Sequence, residues 1–439
     1  MSTSIQLQFN LEVISKIIIL GKILFLIAEL LAIIKKRKNK MHEIDRFIRY
    51  AKIDTQADAS SGTTPSTEKQ KNLAKLLVEE LKELGLTDAY IDEYGIVYAH
   101  LDGDGEPIGL NAHMDTALEV SDANCQPRLI KNYNGKDIKL NDFYTLSSEQ
   151  FPNLKKQFGN DLIVTDGNTL LGADDKAGIA IIMSALEYFK NNPKIKHHPI
   201  SVAFTVDEEI GEGPLHFSLE KMNASYAYTI DGSYINDIEG ENFNAKAASL
   251  KVEGVAVHPG EGKNALLNAI ILLDEWRHYL PMDDTPFEAG IDDGFYHLTD
   301  ISGTSEKAEL NMILRDFDKS KLNNRVFLLE KGQNELSKKY PKAKFILNIV
   351  DQYENMKEYV IKKPEVMERA KNAIIKNGLI PTFSKIRGGT DGATFSKMGL
   401  ITPNLGTGSY NHHGRFEYLV VQEYLKMINI VIDILKVDL

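Results

Sequence analysis

Five short stretches of this 439-residue chain carry side chains suited to hard or borderline cations: His113-Met114-Asp115, Asp174-Asp175, Asp207-Glu208-Glu209, Asp231-Gly232 and His412-His413-Gly414. Each falls at the end of an expected strand or in a Gly-rich turn. Imidazole nitrogen and carboxylate oxygen suit divalent ions, and two ions ~3.5 to 4 Å apart need one carboxylate to bridge them. Asp174 is the candidate bridge, because Asp174 and Asp175 are crowded between the glycine turn at Gly172 and an apolar helix through Ile179, Ile182, Met183 and Leu186. Taken singly, each stretch also reads as a solvated polar loop; together they point to a metal centre.

Spacing suggests a division of labour. His113 and Asp115 lie two apart at a strand end, so alternation puts both on one side, where the carboxylate can hold the second imidazole nitrogen. Glu208 and Glu209 follow the apolar strand expected over Ile200 to Val206. On an extended segment such neighbours point opposite ways, so one can bind metal while the other faces substrate.

Composition narrows the function class. With 43% hydrophobic and 26% charged residues, the chain is an ordinary globular protein long enough for two domains with cores of their own. A net charge of -11 with no basic stripe in the body argues against nucleic acid and for a small-molecule partner. One cysteine, Cys125, excludes an intrachain disulfide and a thiolate cluster, leaving His, Asp and Glu as ligands and fitting a cytoplasmic redox environment.

These stretches must be positioned by the elements between them. Residues 1–40 do not match the rest: Ile17 to Ile34 is apolar apart from Lys22 and Glu29, and Lys35-Lys36-Arg37-Lys38 follows. The extension reads either as a weak membrane anchor or as a purine-rich stretch translated upstream of a true start at Met41. From Met41 the pattern is globular. A helix with Leu73, Leu76, Leu77, Leu81 and Leu84 on its buried face is expected to open on a capping box, Thr67 with Gln70, and to end at Gly85. Strands and helices then alternate, which reads as an α/β sheet with ligands at strand carboxyl ends. After about Ala247 the expected order is strand (249–257), helix (264–280), two strands (295–301 and 308–317), helix (322–339) and strand (345–350), a β-α-β-β-α-β module. The expected organisation is therefore an extension over 1–40, a first catalytic part over 41–246, a lid and dimerisation domain over 247–356, and a second catalytic part over 357–439.

Eight stretches, in order and spacing, carry a resemblance: Leu110 to Thr116, Thr165 through Gly178, Asp207 to Gly211, Tyr228 to Gly232, Val257 to Gly260, Leu314 to Asp318, Arg387 to Gly392 and Asn404 to Gly408. From Met41 to the end the chain resembles the peptidase T branch of the M20 family of dinuclear zinc peptidases. The resemblance implies an α/β zinc-peptidase catalytic domain with a central mixed sheet, interrupted by a smaller α+β, ferredoxin-like lid. It implies one zinc on His113, Asp174 and Asp231 and another on Asp174, Glu209 and His413, with Co2+ or Mn2+ as substitutes. Asp115 would orient His113, and Glu208 would be the general base. His258 would serve as an oxyanion donor across a homodimer, and Arg315 would anchor the substrate carboxylate, for which a bidentate guanidinium is suited. It further implies a cis peptide between Asp174 and Asp175. One departure is Phe416, where that branch carries His; lying beyond His413, it bears on packing and not on ligation.

The activity so implied is cytoplasmic tripeptide aminopeptidase. Two alternatives remain: another M20 hydrolase (a dipeptidase, aminoacylase or carboxypeptidase), or a catalytically silent binding module tethered through residues 1–40. Every motif lies beyond Met41, so a protein starting there is expected to fold and hydrolyse tripeptides as the full chain does. Loss of soluble folded protein on that truncation would contradict this.

Overall fold

Three apolar runs explain how ligand-bearing ends come side by side. Ile108–His113 and Ile200–Thr205 are buried at every residue, and Tyr226–Gly232 is buried over its first five, the signature of parallel strands covered on both faces. In the computed structural model, which describes residues 41–438, they sit adjacent in an eight-stranded sheet. The extension ahead of Met41, and with it the choice between anchor and upstream misreading, lies outside the described residues.

The sheet order is Tyr90–Ile91, Val97–Leu101, Ile200–Thr205, Ile108–His113, Tyr226–Gly232, Asn404–Gly406, Asp237–Asn242 and Thr382–Ile386. Ile108–His113 pairs parallel with both Ile200–Thr205 and Tyr226–Gly232, while Val97–Leu101 joins antiparallel, so the sheet is mixed, as expected. His113 pairs with Thr205, which aligns the ends that carry His113 and the Asp207-Glu208-Glu209 turn. The helix Ala173–Asn191 lies between the sheet and Val421–Leu435, and its near-continuous burial follows from being covered on both sides. It approaches the sheet closely at Gly178, where an added Cβ would lie 2.0 Å from the Ile230 carbonyl oxygen and 2.4 Å from Asp175 Oδ1. That approach brings Asp174 beside Asp231.

A second sheet, in the order Phe295–Gly303, Lys307–Asp316, Asn244–Glu253 and Lys344–Tyr353, is antiparallel throughout. With Ala269–Arg277 and Lys319–Lys339 it completes the β-α-β-β-α-β order and has a core of its own around Trp276, Leu310, Leu314 and Leu329. Its first strand begins at Asn244, earlier than expected, and its first helix shortens to Ala269–Arg277 because the Asn268 side chain caps it by accepting from the Ile270 amide. Where the chain crosses between the sheets, buried asparagines tie the strands together. Asn355 Oδ1 accepts from the Asn242 amide at 3.2 Å, and Asn244 Oδ1 accepts from the Asn355 amide at 3.1 Å.

A small sheet that sequence periodicity did not suggest orders Ser409–Tyr410, Tyr418–Val420, Leu162–Val164 and Arg128–Ile130. It frames the loop carrying His412 and His413. Phe416 packs there against Tyr144 and Phe151, with ring centroids 6.0 and 5.1 Å away, so an aromatic cluster accommodates the departure noted above. Among the described residues no helix is long and apolar enough to cross a membrane.

Candidate metal centre

His113 closes its strand with the imidazole buried. Its Nε2 lies 2.9 Å from Asp174 Oδ1 and 3.5 Å from Asp231 Oδ1. Nδ1, on the other side of the ring, faces Asp115, 3.1 Å from its carbonyl oxygen and 3.4 Å from Oδ1. The Asp115 carboxylate does more than orient a ring: its two oxygens accept from the Glu208 amide at 3.0 Å and the Glu209 amide at 3.1 Å. One buried carboxylate thus fixes a histidine and the backbone of both glutamates.

Those glutamates do not lie on an extended segment. The strand ends at Thr205, Asp207 takes a left-handed conformation (φ 59°), and Glu208–Ile210 is a single 3-10 turn. Strand alternation is therefore not what separates Glu208 from Glu209. The turn is pinned by Asp207, whose carboxylate accepts from the Ser66 amide at 2.7 Å, Ser66 Oγ at 2.5 Å and Gln70 Nε2 at 2.6 Å. Gln70 is accordingly no capping-box member: its helix, Gln70–Leu84, has no side-chain cap, and Gln70 serves the glutamate turn instead.

Asp174 and Asp175 open the helix Ala173–Asn191 with non-helical dihedrals, and the bond between them is cis, as expected. Asp175 turns inward, Oδ1 accepting from the Gly178 amide at 3.1 Å and Oδ2 from the His113 amide at 3.3 Å. Asp174 is left facing the histidines. Its amide at 3.0 Å, and those of Leu171 and Gly172 at 2.8 Å, donate to Glu417, a buried carboxylate that holds the turn from behind. Beyond it, Lys176 is wholly buried and donates to the Ile53 carbonyl at 2.7 Å and Asp122 Oδ2 at 3.1 Å.

Two donor groups result. His113, Asp174 and Asp231 form one, and Asp174, Glu209 and His413 the other, the ligand atoms of each lying within 4.8 Å of one another. Asp174 belongs to both. His413 Nε2 lies 3.0 Å from Glu209 Oε2 and 3.3 Å from Asp174 Oδ2. His412 is also near, with Nδ1 3.4 Å from Asp174 Oδ2, but its Nε2 is hydrogen-bonded to Ser409 Oγ at 2.7 Å.

The electrostatics call for added positive charge. Burial, followed by the Asp174 charge, pushes Asp231 up to about 7, and the same two causes push Glu209 up to about 7. Glu208 is raised well above the carboxylate range by burial and by the charges of Asp231, Asp391 and Glu209, with His113 opposing. Asp174 falls well below it, because His412, His113 and His413 outweigh burial. The buried Glu209 Oε1 has no hydrogen-bond partner. An orphaned carboxylate oxygen beside imidazoles and crowded carboxylates fits divalent cations that favour nitrogen and oxygen donors.

Two expected site residues stand apart. His258 is exposed, with Nδ1 accepting from the Gly260 amide at 3.2 Å. Arg315 is buried in the second sheet and belongs to neither donor group. The supporting roles of Glu417, Asp207, Lys176, Asp122 and Asp391 were not legible in sequence: only burial distinguishes them from solvated charged residues.

Comparison with known proteins shows the family. A family model for peptidase family M20/M25/M40 matches residues 164–437. A peptidase T of Clostridium perfringens is 46% identical over 402 residues, covering 91% of this chain and 98% of the relative. Among solved structures, aminopeptidase PepT of Bacillus cereus superposes with a TM-score of 0.72 at 21% identity, covering 90% of this chain and 98% of that one. A tripeptidase of Staphylococcus aureus does so with a TM-score of 0.73 at 20% identity, covering 91% and 98%. At those identities the structural likeness is one of fold, and the sequence matches carry the family: the chain belongs to the M20/M25/M40 peptidases, in the peptidase T branch.

Proposed function

We propose that the protein is a metal-dependent tripeptide aminopeptidase of the cytoplasm that uses two zinc ions. The observation that carries this reading is the pair of donor groups sharing Asp174. His113, Asp174 and Asp231 would hold one ion, and Asp174, Glu209 and His413 the other. When bound, the ions supply Lewis-acid polarisation of the scissile carbonyl and of the attacking water.

The chain's own residues do the rest. Glu208 takes a proton from the water and passes it to the leaving amine; burial, with the charges of Asp231, Asp391 and Glu209, raises its proton affinity above that of an ordinary carboxylate. Asp115 fixes the His113 ring and, through two backbone amides, the direction of Glu208. The residues over 41–246 and 357–439 form the catalytic domain in this reading, and those over 247–356 the lid. His258, exposed and in neither donor group of its own chain, would reach the oxyanion of a partner subunit's substrate in a homodimer. Arg315 would hold the substrate carboxylate.

A panel of di-, tri- and tetrapeptides with free or blocked amino ends, assayed on protein loaded with zinc, cobalt or manganese, tests this. Fastest turnover is expected on tripeptides with a free amine. Preference for dipeptides or for acylated substrates would instead assign one of the other M20 activities.

A further inference from the structure

Asn111, Thr229, Asn404, Glu239 and Ser384 form one transverse row across neighbouring strands of the large sheet, each paired in register with the next. Members of such a row share a face, and side chains two residues apart on a strand share it as well. His113 follows Asn111 by two residues and Asp231 follows Thr229 by two. Glu239 therefore lies on the sheet face that carries both of these proposed ligands.

Two glycines let its carboxylate reach the end of the Asp231 strand. Gly232 pairs with Gly406 on the strand between, and a Cβ added at Gly232 would lie 3.1 Å from Glu239 Oε2 and 3.3 Å from the Gly406 Cα.

The carboxylate is half-buried, and no lysine, arginine or histidine lies within ion-pair distance of it among the described residues. Burial, followed by the charges of Asp237 and Asp231, raises its pKa, and only the Ser384 hydroxyl opposes them. Glu241, two residues on, shows the contrast, with Lys357 Nζ 3.0 Å from its Oε2. Other buried carboxylates around the centre are already engaged. Asp115, Asp175, Asp207 and Glu417 hold backbone amides, and Asp391 Oδ2 accepts from Thr205 Oγ1 at 2.5 Å and Asn111 Nδ2 at 3.3 Å. Glu239 belongs to neither donor group. A partly buried anion without a counter-ion favours an arriving cation, since each partner relieves the other's desolvation.

In a peptide cleaved at its first bond, the free α-ammonium is one carbon away from the scissile carbonyl, about 2.5 Å by standard bond lengths. The ammonium must therefore sit at the edge of the metal centre. We propose that Glu239 is a specificity-determining residue: its carboxylate accepts a charge-assisted hydrogen bond from the α-ammonium of the peptide's first residue, and so selects free over blocked amino ends. This rests on the aminopeptidase reading above.

The test uses two inhibitors, a tripeptide with a ketomethylene group in place of its first peptide bond and the des-amino form of the same compound. Their inhibition constants are measured on the metal-loaded wild type and on Glu239→Gln, beside metal content and the kcat and KM of a free tripeptide. The wild type is expected to bind the free-amine compound at least about tenfold more tightly than the des-amino one. Glu239→Gln should weaken the free-amine compound about tenfold and the des-amino compound less than twofold, as loss of a hydrogen bond between charged groups does, with metal content unchanged and the tripeptide affected chiefly through KM. Equal binding of the two compounds by a wild type that cleaves tripeptides, or equal weakening of both by the substitution, would overturn the role of Glu239 alone. A wild type that cleaves no tripeptide would overturn the aminopeptidase reading and this inference with it.

Discussion

Glu208→Gln is expected to reduce tripeptide turnover ~10²- to 10⁴-fold, the usual contribution of a general base, while metal content stays near that of the wild type. Glu209→Gln should lose metal as well as activity. Glu208 belongs to neither donor group, whereas Glu209 Oε2 lies 3.0 Å from His413 Nε2 and shares a group with Asp174. An amide at position 208 can still hydrogen-bond a water but cannot take its proton. At position 209 the amide exchanges an anionic ligand for a neutral one in one site only. Both backbones are held by Asp115, so neither change should disturb the turn. Metal analysis beside kinetics decides: zinc lost from Glu208→Gln and kept by Glu209→Gln would reverse the two roles.

Lys176→Met should cost the fold about 3 to 5 kcal/mol, because it leaves the Asp122 carboxylate buried without its cation. Both side chains are fully buried, and Asp122 also accepts from the Thr55 amide at 2.8 Å, so the pair joins the segment at 53–55 to the start of the helix Ala173–Asn191. In the wild type Lys176 and the Thr55 amide, outweighing burial, hold Asp122 at about 2, below its ordinary 3.8. The pair's contribution is therefore present above pH ~4 and lost as pH falls through about 2. Without the lysine, burial dominates and the Asp122 carboxyl rises above 3.8, so the variant's deficit should shrink as the pH is lowered from neutrality. Urea melts at several pH values measure this, and Lys176→Met with Asp122→Leu should recover part of the loss. A single-variant deficit under ~1 kcal/mol, or one that does not vary with pH, would contradict the assignment.

What the chain alone determined is the chemistry and the order of elements. The identities at His113, Asp174, Glu209, Asp231 and His413 specify nitrogen and oxygen donors. Their places after apolar runs such as Ile108–His113 and Ile200–Thr205 specify the carboxyl edge of a sheet, because buried parallel strands must be apolar throughout and polar residues can resume only where they end. The β-α-β-β-α-β module was legible for a similar reason: alternation and helical spacing are local properties. What only the tertiary structure decided is how the donors are aimed. Asp115 reaching two amides 93 and 94 residues away, Glu417 holding the turn at Asp174, and Gln70 leaving its helix end to hold Asp207 are contacts across the fold. In sequence these residues cannot be told from solvated polar ones, and Glu208 and Glu209 were expected on a strand when they lie on a 3-10 turn. The physical reason is that a polar side chain acquires its role from burial: once removed from water it must find a partner, and the partner is chosen by the packing of distant segments rather than by its neighbours in the chain.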